Sequence, residues 1–598
     1  MKAPLGPSVF SVQPELCFGH SETHGPSSTA GRPRKPVSSH FKSAIWPFGW
    51  AIILSMGWLL PNHYPPWTGF HQDAWISAMT LVAAVAVLVV SAGPVRVFGS
   101  AWVIVLLAMV PGVQYALGLV TSGGNAWLSS AYLLGLSLAI VTGARWESIR
   151  ALHLTDFLFL AIGIAAIVSV GLQLHQWLAM DVLDTWSMGG TGGRPYANLG
   201  QPNQLGTLLI WGLLALLWAY LRKFVGSITA IGAALFLLFG IALTVSRTAW
   251  IGVILLVLGG WYWRRLFPSR WLPWVVTGLA GVYFCVVWNL PSISKSLFLS
   301  TADADLDSLV RMSGDLRLTI WFMLLDAIGH RPWLGFGWNQ GALAQATVAP
   351  DYPALHVLFQ QAHNLFLDLA LWCGLPVGLA LIASLLWWLY RLFQRVRCSE
   401  DAVLLLFLLV IANHAMLEYP LHYAYFLLPV GLVVGALEQR LDTRPVMALR
   451  RSLVLVVGLI MAALLTIFIR DYLRVEGSYR TLRFEWANIK TTPAQAPEVL
   501  LLTQWRDFFI AVRLEPSTQM NASDLTLLRD LAGVYPNPGL VQKLAKSLAL
   551  NGEPAEARLW LTRACRMASR TQCVALRQSW AAVALNDPKL AAVHWSGE

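Results

Sequence analysis

Long apolar runs follow one another from about residue 44 to residue 470, separated by short polar intervals. Most are long enough for a helix to cross a hydrocarbon core of about 30 Å. The pattern predicts about thirteen membrane helices. They fall near 45–60, 74–92, 98–120, 126–143, 155–177, 204–221, 227–245, 249–263, 271–290, 364–390, 402–417, 424–437 and 452–469. Two of these, 249–263 and 424–437, are short for a span and imply little tilt or a locally thinned bilayer. Residues 1–43, rich in Pro, Ser, Gly and His, predict a disordered tail. Residues 44–470 form the membrane domain, interrupted by a long polar loop at 291–363. Residues 471–598 alternate helical patterns with polar breaks. There "LVQKLAKSLALNGEPAEARLWLTRAC" resembles one tetratricopeptide-like helix pair. Stacking needs about three repeats, so a small helical bundle is expected. The fold class is all-α and polytopic.

Composition agrees. Of 598 residues, 56% are hydrophobic and 12% charged, where a soluble chain carries about a quarter charged. The net charge of +11 is dispersed among short loops and marks topology, not nucleic-acid binding. With residue 44 starting inside, the basic residues Arg96, Arg145, Arg150, Arg222, Lys223, Arg264, Arg265, Arg270, Arg391, Arg395, Arg397, Arg440, Arg444, Arg450 and Arg451 all fall in inner loops. The outer loops "PNHYPPW" and "TSGGN" carry none. The N-terminus is therefore expected in the cytoplasm and the C-terminus outside. Of six cysteines, only Cys565 and Cys573 share the exported domain, where an oxidising compartment lets them pair. No cluster has metal-ligand spacing, so neither a metal nor another cofactor is expected.

Polar groups at the outer ends of spans are the candidate chemistry, since such groups are rare at membrane depth and usually face a cavity. "GQPNQLG" (200–206) offers Gln201, Asn203 and Gln204 around Pro202. A helix-start cap would explain Asn203, but the whole cluster suits a polar, uncharged ligand such as a sugar. "SRTAW" (246–250) puts Arg247 in a tight outer turn, either snorkelling to headgroups or binding an anion. "RMSGDLRLTIW" (311–321) reads as an amphipathic helix. It holds Arg311 and Arg317, whose guanidiniums suit phosphate as well as anionic lipid. Asp303, Asp305 and Asp307 before it read as a solvated face. "HNLFLDLALWCGLPVG" (363–378) opens a span with His363 and Asn364. Asp368 lies a turn deeper, and His363 can take a proton from a hydroxyl or serve structure alone. "NHAMLEYPLHYAY" (413–425) carries His414, Glu418, Tyr419 and His422 around Pro420, a break whose freed backbone groups need protein or a wet cavity. Glu418 is suited to bind substrate or to pair one of the arginines.

In this order, "RPYANLGQPNQLG", "SRTAW", "RLTIW…HRPWLGFGWNQ", "HNLFLDLALWCGLPVG" and "EYPLHYAYFLLP" resemble the bacterial O-antigen ligase and protein O-oligosaccharyltransferase superfamily. "PNHYPPW", the amide-rich motif and "EYPLHYAYFLLP" resemble its pilin-glycosylating subgroup. The ligase motif is His-Asn, nine residues, Gly, two residues, then Gly, Thr or Tyr. His363, Asn364 and Gly374 fit it; Val377 departs, with Gly378 one residue late. The resemblance implies a GT-C-like glycosyltransferase of the bacterial inner membrane, with loop 291–363 and domain 471–598 in the periplasm. It implies that Arg247 and Arg317 bind the diphosphate of a polyprenyl-linked oligosaccharide, with His363 acting on the acceptor hydroxyl. Arg311, Gln201, Asn203, Gln204, Asn364, Asp368, His414, Glu418 and Tyr419 are expected around the substrates. The expected reaction moves the glycan en bloc to Ser or Thr of an exported, pilin-like protein. Rivals within the superfamily are an O-antigen ligase acting on lipid A-core and an O-antigen polymerase. From another class, a transporter or flippase would show internal repeats and polar groups near the midplane, which this sequence lacks; a scaffold would leave the outer arginines unexplained.

Overall fold

A computed structural model describes residues 38–595, except 181, 190–193, 298, 300–305, 442 and 490–494; it covers no side chains in 38–47 or 306–315. The expected disordered tail therefore lies mostly outside the described residues, as do Asp303, Asp305 and the side chain of Asp307. The chain is helical almost throughout. Helices run as α1 (Ser38–Leu59), α2 (Phe70–Val90), α3 (Gly99–Ala116), α4 (Gly123–Ile149), α5 (His153–Trp177), α6 (Pro202–Leu221), α7 (Ser227–Leu243), α8 (Arg247–Tyr262), α9 (Leu272–Ser296), α10 (Leu306–His330), α11 (Gly341–Val348), α12 (Leu365–Arg395), α13 (Ser399–Ala415), α14 (Ala424–Arg440) and α15 (Arg451–Trp486). Six more follow: α16 (Thr503–Arg513), α17 (Ala522–Val534), α18 (Pro538–Leu550), α19 (Pro554–Met567), α20 (Arg570–Ala584) and α21 (Pro588–Ala591).

Each of the thirteen expected segments coincides with a helix. Among the described residues, eight helices are long and apolar enough to cross a membrane: α2 to α6, α9, α12 and α15. The apolar parts of α1, α7 and α8 are shorter. The chain is a multi-pass membrane protein. Its helices pack through aromatic rings and small residues. Trp211 stacks on Phe407 at 3.9 Å and donates its indole N–H to the Phe407 carbonyl. Where α4 crosses α14, a Cβ on Gly435 would stand 1.9 Å from the Ile140 carbonyl oxygen. Only glycine lets these backbones meet, the device expected where apolar burial no longer drives helix association.

The two ends of the bundle differ. At one, β1 (Val95–Val97) pairs antiparallel with β2 (Met447–Leu449), tying the α2–α3 and α14–α15 connections together. Beside this ribbon, Arg440 bonds Asp401 at 2.7 Å and Glu147 at 3.2 Å. All these loops belong to the set expected on one membrane side. At the other end lie the N-termini of α6, α8, α12 and α14.

Helix α12 is not one straight rod. Gly374 takes φ 75° and ψ 170°, splitting a short first half, 365–373, from the longer remainder. A Cβ there would meet the Trp333 carbonyl oxygen at 2.3 Å. The segment before α11 runs along this break: Phe336 N–H donates to Leu371 O, and Leu375 N–H to Pro332 O. Helices α16 to α21 bury their own apolar core, including Leu544, Leu548, Trp560, Leu561 and Trp580. The helix that leads to them, α15, continues unbroken past residue 470 to Trp486.

Candidate active site

Polar chains from five elements meet at the second end of the bundle. Glu418, between α13 and α14, is the hub. Its side chain is only 6% exposed, with Arg317 Nη2 at 2.5 Å from one oxygen and His363 Nδ1 at 2.8 Å from the other. The His363 contact is close but not aligned for a linear hydrogen bond. Asn203 donates a third contact to Glu418 at 3.0 Å. Burial alone raises a carboxyl's pKa. Here the His363 contact, its charge when the imidazole is protonated, and the Arg317 charge outweigh it and hold Glu418 down at about 2. Glu418 is thus an anion at any physiological pH.

Local structure explains each placement. Pro202 begins α6, with Gln201 at the cap position, because proline suits the first helical residue and lacks the N–H left unpaired there. Asn203 is not the cap considered for it. Its carbonyl oxygen instead accepts from Ser246 Oγ at 2.8 Å and from Arg194 at 3.2 Å. Ser246 caps α8, taking the Ala249 N–H, and so places Arg247 in the first turn. Asn364 caps α12 through the amides of Phe366 and Leu367 and donates to Met416 O. His363 sits just before this cap with φ +53°, a left-handed conformation that costs a non-glycine residue free energy and recurs at functional sites. Asp368 holds it there by accepting the Ala362 N–H at 2.8 Å, while Trp321 donates to Ala362 O.

Other expected residues stand one layer back. His414 is fully buried, bonded to Thr207 at 2.8 Å. Gln204 is buried and accepts from Tyr425 OH. Asp368 is also buried. Tyr419 is in front, edge-on to the His363 ring at 5.1 Å. Arg311 belongs to α10, but its side chain is outside the described residues.

Arg194 is the residue that sequence reading passed over. It bonds the Thr244 carbonyl at 2.7 Å as well as Asn203. Burial brings its pKa down to about 10, with Glu418 opposing and Arg317 and Arg247 reinforcing the shift. It stays charged at neutral pH, and three guanidiniums therefore share one site. A signal existed: Arg194 is the lone basic residue of loop 178–203, which the basic-loop pattern places outside. His422, by contrast, is pushed to about 4, by burial first and by His363 second, and is neutral.

The arrangement can bind an anion. Three arginines, with the N-termini of α6, α8 and α12 beside them, concentrate positive potential around a partly buried cluster. It can also move a proton. Glu418 faces His363 Nδ1, leaving Nε2 for a substrate hydroxyl.

Comparison with known proteins gives matches along most of the chain. Residues 195–219 match the family described as Protein glycosylation ligase, beginning one residue past Arg194. Residues 232–383 match the O-Antigen ligase family. Residues 402–568 match Virulence factor membrane-bound polymerase, C-terminal. The chain is similar to the General O-oligosaccharyltransferase of Acinetobacter baylyi, 29% identical over 537 residues that cover 87% of this chain and 93% of the relative. It is also similar to the ComP-specific O-oligosaccharyltransferase of the same organism, 32% identical over 243 residues, 41% of this chain and 44% of that relative.

Proposed function

We propose that this chain, a glycosyltransferase of the O-antigen ligase and O-oligosaccharyltransferase superfamily, moves an oligosaccharide en bloc from a polyprenyl diphosphate to Ser or Thr of exported, pilin-like proteins. The enzyme class and the general pairing of a lipid-linked donor with a protein acceptor rest on kinship. We assign it to the bacterial inner membrane with the N-terminus cytoplasmic, so that 44–470 is the catalytic membrane domain and 471–598 is periplasmic.

The observation that carries the mechanism is the Glu418 bridge between His363 and Arg317. Arg317, Arg247 and Arg194 grip the diphosphate, whose charge grows as the sugar departs. Fixed, partly buried donors stabilise such charge without reorganising. The acceptor hydroxyl passes its proton to His363 Nε2, and its oxygen attacks the anomeric carbon of the first sugar. The bond from that carbon to the diphosphate oxygen breaks, and the electron pair leaves with the polyprenyl diphosphate. Glu418 holds the imidazole in register and stabilises it once protonated. Gln201 and Tyr419 border the glycan. Asn203, Gln204, Asn364, Asp368 and His414 hold the walls, and Arg311 extends the cationic helix.

The test offers purified enzyme a lipid-linked oligosaccharide with a pilin-like protein and lipid A-core side by side. Glycan should reach the protein, and His363→Ala should lose turnover while still binding donor. Transfer to lipid A-core alone would make the chain an O-antigen ligase. Full activity in His363→Ala would remove the histidine from the mechanism.

A further inference from the structure

Helices α19 and α20 are joined by a tight corner, residues 565–573, closed by the Cys565–Cys573 disulfide with Cα atoms 4.7 Å apart. Three of its residues leave the domain they belong to. Arg566 donates to the Tyr352 carbonyl at 2.7 Å. The Arg566 carbonyl accepts the His356 N–H at 3.0 Å, and the Ala568 carbonyl lies 3.1 Å from His356 Nδ1. Met567, 1% exposed, is buried in a different core from its neighbours. Through it α19 meets, at α11 and residues 349–351, the core that also holds Ile320, Met323 and Leu324 of α10 and Leu371 and Trp372 of the first half of α12. These two helices carry Arg317 and follow His363.

The segment gripped in this way runs straight to the site. His356 has φ +55°, a left-handed turn that a non-glycine residue keeps only when its surroundings hold it. Past it, Gln345 clamps both the Val357 carbonyl and the Phe359 N–H. Gln361 reaches Asn339, Asp368 takes the Ala362 N–H, and His363 follows. Residues 352–362 contain no helix, so their path depends on these side-chain contacts rather than on a backbone ladder.

We propose that the disulfide-closed corner of the C-terminal domain sets the position of His363, with Arg566 and Met567 as positioning residues. Turnover therefore depends on the oxidised Cys565–Cys573 bond. This rests on reading His363 as the base. Reduction frees the corner, loosens 352–356 and lets the imidazole drift from the acceptor hydroxyl. Diphosphate binding is kept, because Arg317 is held by Glu418 and Arg247 by α8. The exported domain thus couples the enzyme to the oxidising side of the membrane.

The test uses full-length enzyme in nanodiscs and measures kcat, donor KM and donor-binding stoichiometry for wild type, Cys565→Ala/Cys573→Ala, Arg566→Gln and His363→Ala. Misplacement of a catalytic group by about 1 Å costs roughly a hundredfold, so the corner variants should lose roughly tenfold to a hundredfold in kcat per donor-binding site. Donor KM should hold within about twofold, as expected when only a transition-state contact is lost. Dithiothreitol should slow wild type to the level of the double cysteine variant and leave that variant unchanged. Should the double variant not accumulate, two arms still decide the matter: the reductant on wild type, and Arg566→Lys, which keeps a donor for Tyr352 O and should be partly active. Wild-type kcat in the corner variants, or a reductant effect that persists without the cysteines, overturns the proposal while His363→Ala stays inactive. An active His363→Ala overturns the underlying mechanism instead.

Discussion

Removing the charge of Glu418 with Glu418→Gln separates a site organised by that carboxylate from one in which it merely fills space. The folded protein lowers its pKa from 4.5 to about 2, which at 1.36 kcal/mol per unit is about 3 kcal/mol in favour of the anion. The group's folded pKa is depressed, so this stability is fully present above about 4.5 and is lost only as pH falls through about 2. The substituted amide keeps the volume and one acceptor, yet leaves Arg317 and His363 facing each other without an anion. The variant should therefore unfold at lower temperature at pH 7, by an amount that shrinks when wild type and variant are compared below pH 4. In a transfer assay with lipid-linked oligosaccharide and acceptor protein, kcat should fall by roughly 10²–10⁴, the usual worth of general-base assistance. Glu418→Asp should not rescue it, because a carboxylate one methylene shorter cannot span contacts of 2.5 and 2.8 Å on opposite sides. Wild-type turnover in Glu418→Gln would refute the arrangement. So would an acid limb near pH 4.5 that disappears in the variant, since that limb would mean an ordinary carboxyl.

Arg317→Lys keeps the charge but loses the planar fork; most activity should go while membrane insertion is unchanged, as read by donor titration and turnover. Arg194→Gln should weaken donor binding without disturbing acceptor KM; equal donor affinity would take Arg194 out of the cationic cluster. Gly374→Ala puts a side chain at φ 75° and 2.3 Å from the Trp333 carbonyl. It should destabilise the first half of α12 by about 1–3 kcal/mol, visible as a lowered melting temperature together with lost turnover. Alkaline phosphatase fused after residue 480 should be active and after residue 223 inactive; the opposite pattern would put the site on the wrong side of the membrane.

The helices of this protein and the ends at which its polar groups collect were legible in the chain itself. Lipid allows a backbone to hide its polar groups only within a helix or a closed barrel, and continuous apolar runs without alternation fit the helix, so each of the thirteen fell on a helix. The five polar strings were visible for the related reason that such residues are rare at membrane depth. Roles inside those strings were not legible. Asn203 was expected beside the substrate, with a helix cap as the plain alternative, and it bonds Glu418, Ser246 and Arg194, partners 215, 43 and 9 residues away in sequence. His414 was expected beside the substrates and is packed behind the site on Thr207. Arg194 drew no notice: standing alone as the basic residue of loop 178–203 marks it, but only packing puts it beside Asn203 and the Thr244 carbonyl. The kink at Gly374 and the reach of Arg566 to Tyr352 belong to the same class. Periodicity is a property of a few successive residues and survives in the string. A charge's partner, and hence its protonation state and its task, is fixed only when helices far apart in sequence pack against one another.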